Sequence, residues 1–157
     1  SGTKALGEEV LEGAKNCFIW RLRIPFNEGR NPRNYLQKLL NYDRLLEAEN
    51  SVSHLDEFVQ KCIECFTQEI EPGVYNMTNP GSITTRQVTE WMVEEGLSDK
   101  KFRFFEDEDD FMQKAAKTHR SNCVLDVTKA EKAGIGMRAV EEAMQESIRK
   151  MVGEVLV

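Results

Sequence analysis

The run Phe18-Ile19-Trp20-Arg21-Leu22-Arg23-Ile24, closed by Pro25, constrains the fold most. Its β-branched and aromatic content predicts a strand, and a mostly apolar one, which is expected to be buried. Helical periods flank it. Leu6, Val10, Leu11 and Ala14 share one face of a predicted helix over Thr3 to Ala14. Val140, Ala143, Met144, Ile148, Met151 and Val152 share one face of another, predicted to start near Met137. Strands alternating with helices predict an α/β fold.

Between these elements the turn and cap residues divide the chain. Asn31-Pro32 predicts a helix start, with Asn31 as cap and Pro32 in the first turn, running through Tyr35, Leu36, Leu39 and Leu40. Leu45 to Val52 is extended. Ser53-His54-Leu55-Asp56 and Thr84-Thr85-Arg86-Gln87 read as capping boxes, opening helices over Phe58–Phe66 and through Val88, Trp91 and Met92, the second ended by Gly96. Pro72-Gly73 is a turn before the strand Val74–Met77, and Asn79-Pro80-Gly81 is a second turn. Phe102 to Phe105 reads as a short strand, and Asn122 to Thr128 as a strand or extended link.

The chain has 157 residues and a net charge of −6, from 21 Lys+Arg against 27 Asp+Glu. That balance argues against a nucleic-acid partner or an anionic membrane surface. No apolar run approaches the ~20 residues of a bilayer span, and no secretory leader opens the chain, so a cytoplasmic protein is expected. The four cysteines include Cys62 and Cys65 at C-x-x-C spacing. They lie inside the helical pattern Phe58–Phe66 with no second pair and no nearby histidine, which reads as core packing rather than a zinc or redox site. The acidic run Glu106 to Asp110 lacks calcium-loop spacing and reads as a solvated loop or helix start. No metal is expected. Gly134-Ile135-Gly136 opens the final helical region but lacks the third glycine of a dinucleotide fingerprint, and there is no P-loop. His54 and His119 read as structural or surface residues.

Several segments, in order, resemble the extended short-chain dehydrogenases/reductases that act on nucleotide sugars. Thr3-Lys4-Ala5-Leu6-Gly7-Glu8-Glu9 resembles the helix following the catalytic tyrosine of Y-x-x-x-K, with Lys4 as the motif lysine and the chain opening just after the tyrosine's place. Arg21 to Phe26 resembles the strand whose end closes over the nicotinamide. Ser53 to Phe58, Gly73 to Asn76 and Arg120 to Lys129 resemble three later motifs of that family. Asn31-Pro32-Arg33-Asn34-Tyr35-Leu36-Gln37-Lys38 and Thr78-Asn79-Pro80-Gly81 narrow the resemblance to the epimerase/reductases of nucleotide-linked rhamnose synthesis.

The resemblance implies the C-terminal portion of a Rossmann-type enzyme with its substrate-binding subdomain. Residues 1–26 would be a catalytic-helix and sheet-strand remnant of the dinucleotide-binding domain. Residues 27–157 would be mainly the sugar-nucleotide subdomain, with interleaved sheet elements. It implies Lys4 and Lys38 as catalytic residues, Lys4 and Pro25 at an NADP or NAD cofactor, and Asn31, Arg33, Asn34 and Arg120 on a nucleotide-diphosphate sugar. The chemistry fits these residue types. An ammonium one helical turn from a phenol favours the phenolate, and guanidinium forks match diphosphate oxygens. The dinucleotide fingerprint and the tyrosine are absent from the chain, so the missing N-terminal half of the enzyme is an expected partner and the chain alone is not a competent oxidoreductase. A 4,6-dehydratase or 4-epimerase fragment, or a non-catalytic binding or dimerisation module, are the alternatives. A parallel strand lacking its neighbours on one side also predicts an unpaired edge and a homo-oligomer.

Overall fold

The computed structural model describes residues 2–114 and 122–155. In chain order the elements are α1 (Gly2–Val10), β1 (Phe18–Arg21), β2 (Pro25–Phe26), α2 (Tyr35–Asn41), β3 (Glu49–Asn50), β4 (Ser53–His54), α3 (Leu55–Thr67), β5 (Gly73–Asn76), β6 (Ile83–Thr84), α4 (Thr85–Glu94), α5 (Glu108–Lys114), α6 (Thr128–Lys132) and α7 (Val140–Val155). The fold is mixed α/β, as expected.

β1 and β5 pair in parallel, with Ile19 opposite Val74 and Trp20 opposite Tyr75. Strand alternation therefore puts Ile19, Arg21 and Val74 on one face and Phe18, Trp20 and Tyr75 on the other. α1 lies on the first face, where Glu8 accepts from the Arg21 guanidinium through both carboxylate oxygens. α3 lies on the second, its Phe66 ring edge-on to Phe18 at 5.3 Å and to Trp20 at 6.1 Å. Here Cys65, Tyr75, Met77, Ala130 and Ile135 form one core. The outer edge of β5 is covered: Lys129 Nζ donates to the Val74 carbonyl at 2.9 Å, and Asn76 Nδ2 to that of Asp126 at 2.7 Å. Among the described residues, the other edge of β1 has no strand partner. The helices on either side leave apolar side chains in water, Val10 on α1 at 83% and Ile63 and Phe66 on α3 at 59% and 65% exposure. The predicted open edge is present.

A second, larger core joins Phe26, Leu36, Leu39, Val52, Ile83, Val88 and Met92 to the face of α7 formed by Val140, Ala143, Met144, Ile148 and Met151. The predicted α7 face is thus the buried one, although the helix starts at Val140, whose N–H donates to the Pro80 carbonyl, rather than near Met137. Two short sheets brace this core, β2 with β4 in parallel and β3 with β6 antiparallel. No helix among the described residues is long and apolar enough to cross a membrane.

Several local expectations change. The strand Phe18–Ile24 stops at Arg21, because the Arg23 N–H is taken by Ser53 Oγ at 3.0 Å and Ile24 turns the chain at φ 42°. Pro25 then opens β2 rather than merely closing β1. The first helix ends at Val10, and its continuation to Ala14 is a series of turns with Gly13 at φ 81°. Asn34, not Asn31, caps α2, and His54, not Ser53, caps α3. Phe102–Phe105 and Asn122–Thr128 contribute only single bridges, Phe104 to Leu45 and Cys123 to Asn50. Gly134 does not open a helix: at φ 81° it follows the end of α6. The Thr84 box holds as read, its Oγ1 accepting from Gln87 N–H at 3.1 Å.

Candidate functional site

Parallel α/β sheets bind ligands beyond the carboxyl ends of their strands. α1 runs antiparallel to β1. The turns after it, Leu11 to Ala14, line a groove with Cys17 and Gly73 at the start of the strands, while Glu8 reaches Arg21 at the end of β1. Lys4 lies one turn before Glu8 on the same helical face. Ile24 and Pro25 follow the end of β1. A β-branched residue at φ 42° costs on the order of 1–3 kcal/mol, which persists only where neighbours over-determine it. They do: Ser53 Oγ accepts from Arg23 N–H and donates to the Met77 carbonyl at 2.8 Å, and the Arg23 guanidinium donates to Asn50 Oδ1.

The segment from Asn27 to Asn34 folds on itself. Asn34 Nδ2 donates to the carbonyls of Asn27 and Gly29, both at 2.7 Å, while its Oδ1 accepts from Leu36 N–H at 3.2 Å. Asn34, expected on the substrate, is buried and spends its amide inside the loop. Asn31 Oδ1 accepts from Arg33 N–H at 2.8 Å, a turn that leaves Asn31 and Arg33 on the surface. The side chains of Arg33, Lys4 and Lys38 make no hydrogen bond or ion pair among the described residues, so all three ammonium or guanidinium groups are available. Lys38 is half-buried on α2, one turn after Asn34. Arg120 lies outside the described residues. The expected site residues thus divide between α1 and the start of β2, with Lys4 and Pro25, and the loop and α2, with Asn31, Arg33 and Lys38.

Behind this loop lies a buried polar network absent from the sequence reading. Asn79 Oδ1 accepts from His54 N–H at 2.7 Å, and its Nδ2 donates to the Arg138 carbonyl at 3.0 Å and toward Glu57 Oε2 at 3.4 Å. Glu57 also accepts from Arg138 N–H at 3.0 Å and Nε at 2.6 Å. Arg138 continues to Glu146, which pairs with Lys150 at 2.8 Å. Only the turn signal at Asn79-Pro80 marked this place in the sequence.

These contacts set the charges. Arg138 and Lys150 hold the Glu146 carboxyl down at about 2, against an ordinary 4.5. A lowered carboxyl stabilises the fold at pH values above its unfolded pKa and loses that contribution as pH falls toward the folded one. Unfolding free energy should therefore decline on acidification from about pH 4.5 toward about pH 2. Glu146→Gln should flatten part of that slope in denaturant titrations. Glu8, Glu64 and Asp126, also lowered by their partners, keep the remainder.

Other candidates are set aside by geometry. Burial pushes the Cys62 thiol up to about 11 and the Cys65 thiol up as well, the direction of packed rather than nucleophilic thiols. In the acidic run, Asp107 Oδ1 accepts from Asp110 N–H at 2.7 Å, an acid serving the start of α5. Ligand atoms of Glu28, His54 and Asp56 lie within 4.8 Å of one another. However, His54 Nδ1 accepts from Glu57 N–H at 3.3 Å, so the neutral ring carries its proton on Nε2, the nitrogen facing Glu28. That nitrogen has no lone pair for a cation. Of the tyrosines, burial raises Tyr35 to about 12, and Tyr75, also raised, donates to the Glu71 carbonyl at 2.7 Å.

No protein-family model matches the chain. It is 30% identical over 148 residues to a bifunctional dTDP-4-dehydrorhamnose 3,5-epimerase/dTDP-4-dehydrorhamnose reductase of Arabidopsis thaliana, a match covering 92% of this chain and 47% of that protein. A trifunctional UDP-glucose 4,6-dehydratase/UDP-4-keto-6-deoxy-D-glucose 3,5-epimerase/UDP-4-keto-L-rhamnose-reductase of the same plant is 30% identical over 148 residues, 92% of this chain and 21% of its own length. The chain thus spans about half the length of the first relative and less of the second. Among solved structures, the L780 UDP-rhamnose synthase of Acanthamoeba polyphaga mimivirus superposes with a TM-score of 0.85 at 21% identity, over 94% of this chain and 51% of that one. A dTDP-4-dehydrorhamnose reductase of Bacillus anthracis, solved with NADP, superposes at 0.74 and 13% identity, over 98% and 54%.

Proposed function

Because the chain is homologous to nucleotide-sugar epimerase/reductases and carries part of their Rossmann-type fold, we propose that it is the sugar-nucleotide-binding half of such an enzyme. The whole enzyme would convert a dTDP- or UDP-linked 4-keto-6-deoxy sugar toward L-rhamnose by epimerisation and reduction. The observation that carries this reading is the match over 92% of the chain to an epimerase/reductase twice its length. In this reading residues 1–26 are the remnant of the dinucleotide-binding domain and residues 27–157 mainly the substrate subdomain. The open edge of β1 and the exposed apolar faces of α1 and α3 take the rest of the sheet and its helices.

The residues present do not make a dinucleotide site by themselves. The chain has no glycine fingerprint, and Lys4 and Pro25 are the residues assigned here to a nicotinamide nucleotide. NADPH or NADH, held by the whole enzyme, would supply the hydride. This chain's part is to bind and to move protons. Arg33 offers a bidentate fork to the diphosphate. Lys4 supplies the positive charge that favours a neighbouring phenolate. Lys38 protonates an enolate carbon of the sugar from the face opposite the base.

Calorimetric titration of the chain with UDP and with dTDP tests this. One of the two should bind, and Arg33→Gln should weaken that binding about tenfold, the scale of one charge-assisted contact. Absence of binding by both nucleotides would remove the reading.

A further inference from the structure

We propose that Glu28 is a positioning residue, tethering the 27–34 loop to α3 and α7 and so fixing where Arg33 stands; only the loop's ligand rests on the functional reading above. The internal bonds of the loop shape it but do not hold it in place. Asn27, Asn31 and Asn34 all bond within residues 27–36. Phe26 and Leu36 bury the two ends in the larger core. Between them, Glu28 is the one loop side chain with a charged neighbour outside the loop among the described residues.

That carboxylate is placed for the task. Its Oε2 is fully buried without a hydrogen-bond partner and lies 3.8 Å from His54 Nε2, while its Oε1 lies 3.8 Å from Lys150 Nζ. His54 is itself fixed: buried at 5% exposure, edge-on to Phe26 at 5.3 Å, its Nδ1 capping α3. The cap orients the Nε2–H toward Glu28. The chain of contacts then closes, from Glu28 to His54, through the Glu57 N–H to Glu57, and on to Arg138, Glu146, Lys150 and back to Glu28. Three acids meet two permanent cations and one imidazole around this ring, and four of its six members lie on α3, α7 or the α3 cap. The loop is thereby held to α7 by the Glu28–Lys150 ion pair and to the start of α3 through His54. Glutamine keeps the shape of this half-buried side chain but removes the charge that pairs with the Lys150 ammonium and strengthens the contact with the His54 N–H.

Hydrogen exchange on the whole 157-residue chain reads this directly. Gly29, Asn31 and Asn34 have amides bonded inside the loop, so their exchange reports its opening. In Glu28→Gln these three should exchange at least tenfold faster while the α7 amides keep their rates. High salt should speed them in the parent chain and add little in the variant. Parent-like exchange at the three amides in Glu28→Gln overturns the tether. If that variant also loosens α7, Lys150→Met on the exposed helix surface decides: faster loop exchange with α7 unchanged supports it, unchanged loop exchange overturns it. UDP titration of the same variants separates the two readings. A loosened loop with weaker UDP binding supports both. A loosened loop with unaltered UDP binding leaves the tether standing and removes the loop from the ligand site.

Discussion

Asn79→Ala should lower the free energy of unfolding by about 2–6 kcal/mol, because it strands two buried backbone groups at about 1–3 kcal/mol each. Asn79 has no exposed surface, and its amide serves the His54 N–H and the Arg138 carbonyl at once. The His54 N–H sits where β4 turns into α3, and Arg138 sits two residues before α7. One side chain therefore joins the sheet remnant, the α3 start and the α7 start. Alanine leaves both groups without partners in a space closed to water. Urea titration would show the loss as a lower midpoint at constant slope. A change below about 0.5 kcal/mol, the usual range for surface substitutions, would mean that the network does not join these elements.

Lys38→Met should have the largest effect on activity. In the enzyme completed by its other half, solvent deuterium uptake at C3 and C5 of the keto sugar should fall by about 10²–10⁴-fold, the typical contribution of one general acid. Methionine keeps the length of the side chain and its packing beside α2, so the fold should be unaffected. The position suits the role: Lys38 is half-buried, follows the Asn34 cap by one turn and makes no ion pair among the described residues. Parent-like exchange at both carbons would remove Lys38 from the chemistry and leave it as a helix surface residue.

What could be read from the sequence were the features decided within a few residues. The α7 face follows from helical spacing alone, and the Thr84 cap from a threonine three residues before a glutamine. The features misplaced by a few residues were decided at long range. Ser53 is a good cap by type, yet Arg23 and Met77 claim its hydroxyl, and His54 takes over. Asn31 and Asn34 are equal candidates by propensity. The carbonyls of Asn27 and Gly29 select Asn34, which also withdraws it from the ligand side. The strand through Ile24 ends early for the same reason, since the hydrogen-bond partner of Arg23 lies thirty residues away. For the proposed site, Lys4, Pro25, Arg33 and Lys38 rest on resemblance alone. The Asn79–Glu57–Arg138 network and the Glu28–His54 contact join residues too far apart in sequence to be seen there.

The proposed sugar-nucleotide half depends on a dinucleotide-binding half that completes the sheet at β1. NADPH titration tests it, carried out first on the chain alone and then on the chain mixed with a separately produced dinucleotide-binding half of a UDP-rhamnose synthase. The account predicts no NADPH binding by the chain alone, and formation of a one-to-one complex that turns over a UDP-4-keto-6-deoxy sugar with NADPH. Tight NADPH binding by the 157-residue chain alone, or failure of the two halves to associate, would contradict it.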